Sequence, residues 1–223
     1  MTKNLDLSAL LDFYDYHVEK SKTHATAINA VLGEDLAICL MTHYFEHDGY
    51  KVSLKRPCTQ GGTRGHRLDI WFALEKEGEK VIFQVEIKNW SAHSVGGIRV
   101  DKDFTQDSMV SHRKRVWKKR FNVKNKVPAE IASAKVLTKM NKHHDFREYK
   151  QHKALLCFWE PMHPEGKPVA FFEVPVNSES FDVMSVFSMS NYVSILLGRD
   201  IQTLEVEMKE ADARVDWLQK LYS

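Results

Sequence analysis

Three ionisable residues stand in stretches otherwise rich in apolar and β-branched side chains: Asp69 in Arg67-Leu68-Asp69-Ile70-Trp71, and Glu86 with Lys88 in Val85-Glu86-Ile87-Lys88-Asn89-Trp90. Charges are costly to bury in such company, so their presence asks for a task. Residues two apart on an extended strand share a face, which sets Glu86 and Lys88 together and Val85 and Ile87 on the opposite side. A two-residue turn at Glu77 and Gly78 pairs positions whose numbers sum to 155, and this sets Asp69 opposite Glu86. Side chains so paired start about 4.5–5.5 Å apart at Cβ, and two carboxylates at that distance repel. A hard divalent cation removes the repulsion, and Mg²⁺, held by one or two carboxylates with water and phosphate oxygens, suits the set. Lys88 beside it could stabilise charge on a phosphate oxygen, or orient or deprotonate an attacking water. The alternative for the same residues is an ion pair on an exposed strand face, and a one-residue slip would send the two carboxylates to opposite faces.

The elements that must position these residues are legible as changes of period. Leu7, Leu10, Leu11 and Tyr14 recur at helical spacing, and a second helical series, Leu32, Leu36, Leu40 and Tyr44, stops at Gly49. From Tyr50 the period becomes two, with Val52 and Leu54 continuing a strand that Pro57 ends. Leu68, Ile70 and Phe72 alternate with Asp69, Trp71 and Ala73, so residues 67–90 read as a hairpin around the EKEGEK turn. Ala129 to Met140, after Pro128, has helical character, and Lys153–Trp159 and Val169–Val176 are further strands. Leu204, Met208, Ala211, Val215, Leu218 and Tyr222 keep a 4-3-4-3-4 spacing that predicts one amphipathic helix, docked on the same domain or paired with a second chain.

Composition bounds the rest. A chain of 223 residues with 43% apolar and 28% charged residues is an ordinary globular one, and no apolar run approaches the roughly 18–20 residues of a membrane-crossing helix. The first twenty residues, broken by Asp and Tyr, do not read as a signal peptide, so a cytoplasmic protein is expected. Cys39, Cys58 and Cys157 lie far apart and read as reduced, mostly buried thiols. The net charge of +2 hides an uneven distribution, because residues 102–153 carry 15 Lys and Arg against 5 Asp and Glu. Within them Ser111–Phe121 places Arg113, Lys114, Arg115, Lys118, Lys119 and Arg120 around Trp117, the composition that meets a polyanion, although a basic run is also a common solvated helix face.

Taken together, these residues resemble the PD-(D/E)xK nuclease superfamily, with its restriction-endonuclease-like fold, over roughly residues 30–160. Asp69 matches the metal-binding Asp of the second core strand, and Glu86-Ile87-Lys88 matches the (D/E)xK strand. Glu34, in Gly33-Glu34-Asp35-Leu36-Ala37, matches the acidic residue that many members carry on the helix before the sheet, with Asp35 as its competitor. Leu68 replaces the Pro of the signature, and Gln106 is a candidate for a further family residue. The order of elements follows the family's αβββαβ core. The resemblance implies an α/β fold with a mixed central sheet flanked by helices and Mg²⁺-dependent hydrolysis of phosphodiester bonds in DNA, with Mn²⁺ as a substitute ion. It makes Asp69, Glu86 and Glu34 metal ligands and, with Lys88, catalytic residues. The basic run would follow the phosphate backbone, with Trp117 either stacking on an unpaired base or anchoring a helix.

The expected organisation is a single domain: a helical extension at 1–29, a nuclease-like core at 30–176 that includes the basic segment 102–153, and a helical extension at 177–223. Phage defence, restriction or mobile-element processing is the expected setting, with a homodimer or a partner subunit as further company. The competing reading is a nuclease-fold DNA-binding or assembly subunit that is inactive without its partner. His143, His144 and His152 lack zinc-like spacing, Gly61, Gly62 and Gly65 lack the end of a phosphate-binding P-loop, and Ser91 with His93 lacks an orienting third group, so none of these is assigned chemistry.

Overall fold

The computed structural model describes residues 2–20, 31–32, 34–55, 70–88, 146–159, 167–175 and 183–222. Strand β1 (Lys3–Asp6) leads into helix α1 (Leu7–Lys20), where the Asp6 carboxylate accepts the Ala9 amide at 2.8 Å and caps the first turn. Helix α2 (Asp35–His47) buries Leu36, Leu40, Met41 and Phe45. It ends where the sequence puts Gly49: that residue takes φ +83°, its amide donates to Glu46 O and the Tyr50 amide donates to Phe45 O. The two bonds form a Schellman motif, closed by edge-on packing of Tyr50 against Phe45 at 6.0 Å between ring centres. Gly49→Ala is expected to cost about 1 kcal/mol, because a side chain disfavours this left-handed backbone, and the loss will be read as a lower urea midpoint.

Strands β2 (Lys51–Lys55), β3 (Ile70–Lys76) and β4 (Glu79–Lys88) follow as an antiparallel meander. Glu77 and Gly78 both have positive φ, 51° and 86°, as a type I′ turn requires. Every described pair of the hairpin, from Lys76 with Glu79 to Ile70 with Val85, sums to 155, as the turn predicts. β5 (Gln151–Phe158) then lies parallel to β4, β6 (Phe171–Pro175) takes the edge, and β7 (Val183–Ser188) enters between β5 and β6. The result is a mixed six-stranded sheet in the order β2-β3-β4-β5-β7-β6.

Helix α3 (Met189–Leu197) starts at once after β7, with the Ser188 hydroxyl accepting the Asn191 amide at 3.3 Å. β8 (Thr203–Val206) pairs antiparallel with β1, and α4 (Lys209–Leu221) ends the described chain. Helices α1, α2 and α3 pack on one face of the sheet, where Leu7, Leu40, Phe45, Phe72, Val85 and Phe187 share one core. On the other face Ala73 and Ile82 pack with Phe146 and Tyr149. Architecture is thus α/β with helices flanking a mixed sheet, and among the described residues no helix is long and apolar enough to cross a membrane.

Two expectations need correcting. The segment 177–223 is not a helical extension alone, since β7 is an interior strand of the main sheet. Leu204 and Met208 are not part of the last helix, because Leu204 is a buried residue of β8 and Met208 precedes α4. The helix expected at 129–140 lies outside the described residues.

Candidate active site

The two faces of β4 differ in chemistry. Phe83, Val85 and Ile87 enter the core beneath the helices, whereas Ile82, Gln84 and Glu86 alternate with them on the other side. Gln84 and Glu86 are both buried, Glu86 with 3% of its surface exposed. Glu86 stands in register with Leu156 of β5, and Lys88, in register with Phe158, closes the strand two residues later. A carboxylate held there costs several kcal/mol unless cationic or hydrogen-bonding company offsets it. Asp69 lies outside the described residues, but its neighbour Ile70 is buried and paired with Val85, the neighbour of Glu86.

At the start of α2 the two adjacent acids are separated by environment. Glu34 occupies the N-cap position, partly buried, and its side chain makes no capping bond to its own helix. Asp35 is buried and points away to α4: its Oδ2 accepts the amides of Glu210 at 2.8 Å and Ala211 at 3.1 Å. The positive end of the α4 dipole and the two amide donors of its first turn make this a structural cap. The sequence names Glu34 and Asp35 as competing acids, and the use of Asp35 was hidden, because its partners are 175 and 176 residues away.

Asp35, Cys39, Leu54, Ile70, Glu207 and Lys209 line a cavity of about 400 Å³. Ile70 shares the helix-covered face with its partner Val85, so this cavity lies on the side of the sheet away from Glu86. Cys39 donates to the Glu207 carbonyl at 3.2 Å, and burial together with the Asp35 charge pushes its thiol up to about 11. Of the thiols expected to be mostly buried, Cys157 is fully buried, Cys39 is partly buried, and Cys58 lies outside the described residues. Alkylation of the Cys39 peptide by iodoacetamide, followed by mass spectrometry, is expected to be slow at pH 8 and to accelerate only as pH approaches 11.

A second cavity, of about 230 Å³, lies among Tyr44, His47, Asp48, Phe171, Tyr192 and Arg199. Arg199 Nη1 donates to His47 Nε2 at 3.4 Å, and His43 Nδ1 shares a 2.5 Å hydrogen bond with the Tyr192 hydroxyl. Burial, then the nearby His47, holds His43 below the usual imidazole range. The C-terminal ends of α2 and α3 both meet here, and their partial negative charge accounts for the Arg199 and His47 side chains without a ligand. His152, one of the three histidines near β5, is likewise structural, with Nε2 bonded to the Tyr149 carbonyl at 2.8 Å.

Among the described residues no three His, Cys, Asp or Glu side chains form a cluster able to hold a metal ion. Of the expected site, Glu34 and Glu86 are described with their surroundings and Lys88 by its backbone position. Arg113, Lys114, Arg115, Lys118, Lys119 and Arg120, with Trp117, Gln106, Ser91, His93, His143 and His144, lie outside the described residues. Compared with known proteins, the chain matches no family model, no curated protein and no solved structure.

Proposed function

We propose that this chain is a Mg²⁺-dependent DNA endonuclease built on the PD-(D/E)xK pattern. The observation that carries the reading is Glu86: a carboxylate buried near the end of a central strand, in a hairpin whose register is the one that the sequence requires for an opposed Asp69 and Glu86. The connectivity supports it too. A helix, an antiparallel three-strand meander and then a strand parallel to the third of these follow one another in the order of the αβββαβ core. The donor set suits the ion, since Asp69, Glu86 and Glu34 offer only hard carboxylate oxygens. Mg²⁺ supplies, when bound, a compact double positive charge that offsets the carboxylates and polarises a phosphate oxygen. Asp69, Glu86 and Glu34 would hold that charge, and the Lys88 ammonium would stabilise negative charge growing on the phosphate during attack by water. The basic run 113–120 carries the DNA backbone across the site.

Purified protein incubated with supercoiled, linear and single-stranded DNA at low salt is expected to cut with Mg²⁺ or Mn²⁺, to stop with EDTA, and to lose cleavage on Lys88→Ala. A second reading, a nuclease-fold subunit that acts only with a partner protein, is favoured by the apolar end of α4, where Trp217, Leu221 and Tyr222 are 67%, 74% and 89% exposed. Salt-sensitive DNA binding without cleavage in the same experiment selects that reading. Metal-independent cleavage, or cleavage unchanged by Lys88→Ala, rejects the proposed site.

A further inference from the structure

Helix α4 is docked by its first half only. Ala211 is buried, Arg214 and Val215 are half-buried, and Lys3 of β1 pairs with Asp212, whereas every residue from Asp216 to Tyr222 is exposed. The exposed half is not polar. Ala211, Val215, Leu218 and Tyr222 keep a 4-3-4 spacing, with Trp217 and Leu221 beside them, so the stripe that seats the helix on the domain runs on past it. Leu218 is 42% exposed, and Trp217, Leu221 and Tyr222 are each more than half exposed. Two turns of helix gain little from their own backbone bonds in water, and a contiguous apolar patch at such an end marks a contact surface.

We propose that this stripe is the contact with a second copy of the chain, the two α4 ends lying antiparallel about a two-fold axis. Charge argues for a copy. Helix α4 carries three basic and three acidic residues, Arg214 pairs with Glu210 at 3.3 Å, and the Lys220 ammonium lies over the Trp217 ring, 5.1 Å from its centre. A surface so balanced has no field to draw a polyanion, an anionic membrane or a strongly charged protein, and none to repel its own copy. Area agrees. The four exposed side chains offer roughly 500 Å² per copy, so a pair buries about 1000 Å², the lower bound of a specific interface. Symmetry agrees as well, because a two-fold contact must be self-complementary. With the axis between Gln219 and Lys220, Leu218 of each copy meets Leu221 of the other, as a and d positions do, and Trp217 and Tyr222 flank that layer. The inference stands apart from the nuclease reading and gives this surface a different occupant from the separate partner protein considered there.

Sedimentation velocity of the whole chain, from about 1 to 200 µM, tests this directly. An interface of this size predicts a monomer–dimer equilibrium with a dissociation constant of about 10–100 µM. Leu218→Glu and Leu221→Lys place good helix formers at exposed positions, and each is expected to weaken the dimer at least about 10-fold by setting a charge against leucine. An equimolar mixture of the two variants is expected to associate more tightly than either alone. In an antiparallel pair the mixed dimer has one contact of opposite charges and one intact leucine contact, whereas a parallel pair has neither. A wild-type chain that stays monomeric at the highest concentration overturns the inference and leaves the surface to a different partner. Dimers that neither variant weakens lie on another surface and overturn it too, and variants that dissociate without recovery on mixing overturn the antiparallel arrangement. Should Leu218→Glu lose helix by circular dichroism, Trp217→Ala replaces it, with a dimer about 10-fold weaker expected and wild-type affinity as the contrary result.

Discussion

Glu86→Gln is expected to cut DNA about 1000-fold more slowly than the wild-type chain, a barrier increase of ~4 kcal/mol, while remaining folded. The substitution preserves shape, removes the charge and turns one acceptor oxygen into an NH2 donor. It therefore tests what a carboxylate with 3% exposure is for. If the charge serves a cation, the metal must also stabilise the fold: a hundredfold excess over the dissociation constant adds about 2.7 kcal/mol, or roughly 5–10 °C in melting temperature for a chain of this size. The wild-type melting curve is expected to move with Mn²⁺, and that of Glu86→Gln to stay where it is. Lys88→Ala separates the two roles, because it is expected to lose cleavage but keep the metal-dependent shift. A Glu86→Gln protein that still cuts, or still gains stability from metal, shows that the buried carboxylate has only a structural partner.

The hairpin carrying this residue was legible in the sequence because one local feature determines it. Glu77 and Gly78 can both adopt positive φ, a type I′ turn fixes the register, and every described pair then follows from the turn. The end of α2 was legible for the same reason, with Gly49 supplying the left-handed residue of the helix stop. What escaped reading depends on remote contacts or on ambiguous periods. Thr203–Val206 has Leu204 and Val206 buried and its other two residues exposed, a strand pattern of period two. Leu204 also lies four residues before Met208, so the helical spacing of α4 runs on into it by coincidence. β7 went unseen because Val183–Ser188 is a short run with one charge-free composition on both faces, as a strand covered on both sides requires, and its neighbours β5 and β6 are what identify it. Glu34 and Asp35 are adjacent acids that no periodicity can tell apart. Only the fold, by bringing the amides of Glu210 and Ala211 to Asp35, sets their surroundings apart.

Replacing Lys118, Lys119 and Arg120 together by Ala is expected to reduce the salt dependence of duplex binding by about half. Each phosphate neutralised by Lys or Arg releases condensed counterions and contributes about 0.9 to the slope of log affinity against log salt concentration, so three lost contacts lower that slope by about 2.7. Six basic residues in eleven positions give an expected slope near 5 if all of them meet phosphates, and the variant should then keep about half. Between 50 and 200 mM salt the difference amounts to roughly 40-fold in relative affinity loss, well within reach of a fluorescence anisotropy titration. Such contacts carry no base information, so the weakening should be the same for unrelated duplexes of one length. The three residues are also far in sequence from Asp69 and Glu86, which makes the metal-dependent melting shift the control: it should be unchanged in the triple variant. A slope equal to that of the wild-type chain makes the run a solvated face, leaving the excess of ten positive charges in residues 102–153 to act on solubility and encounter rate instead of on the bound complex.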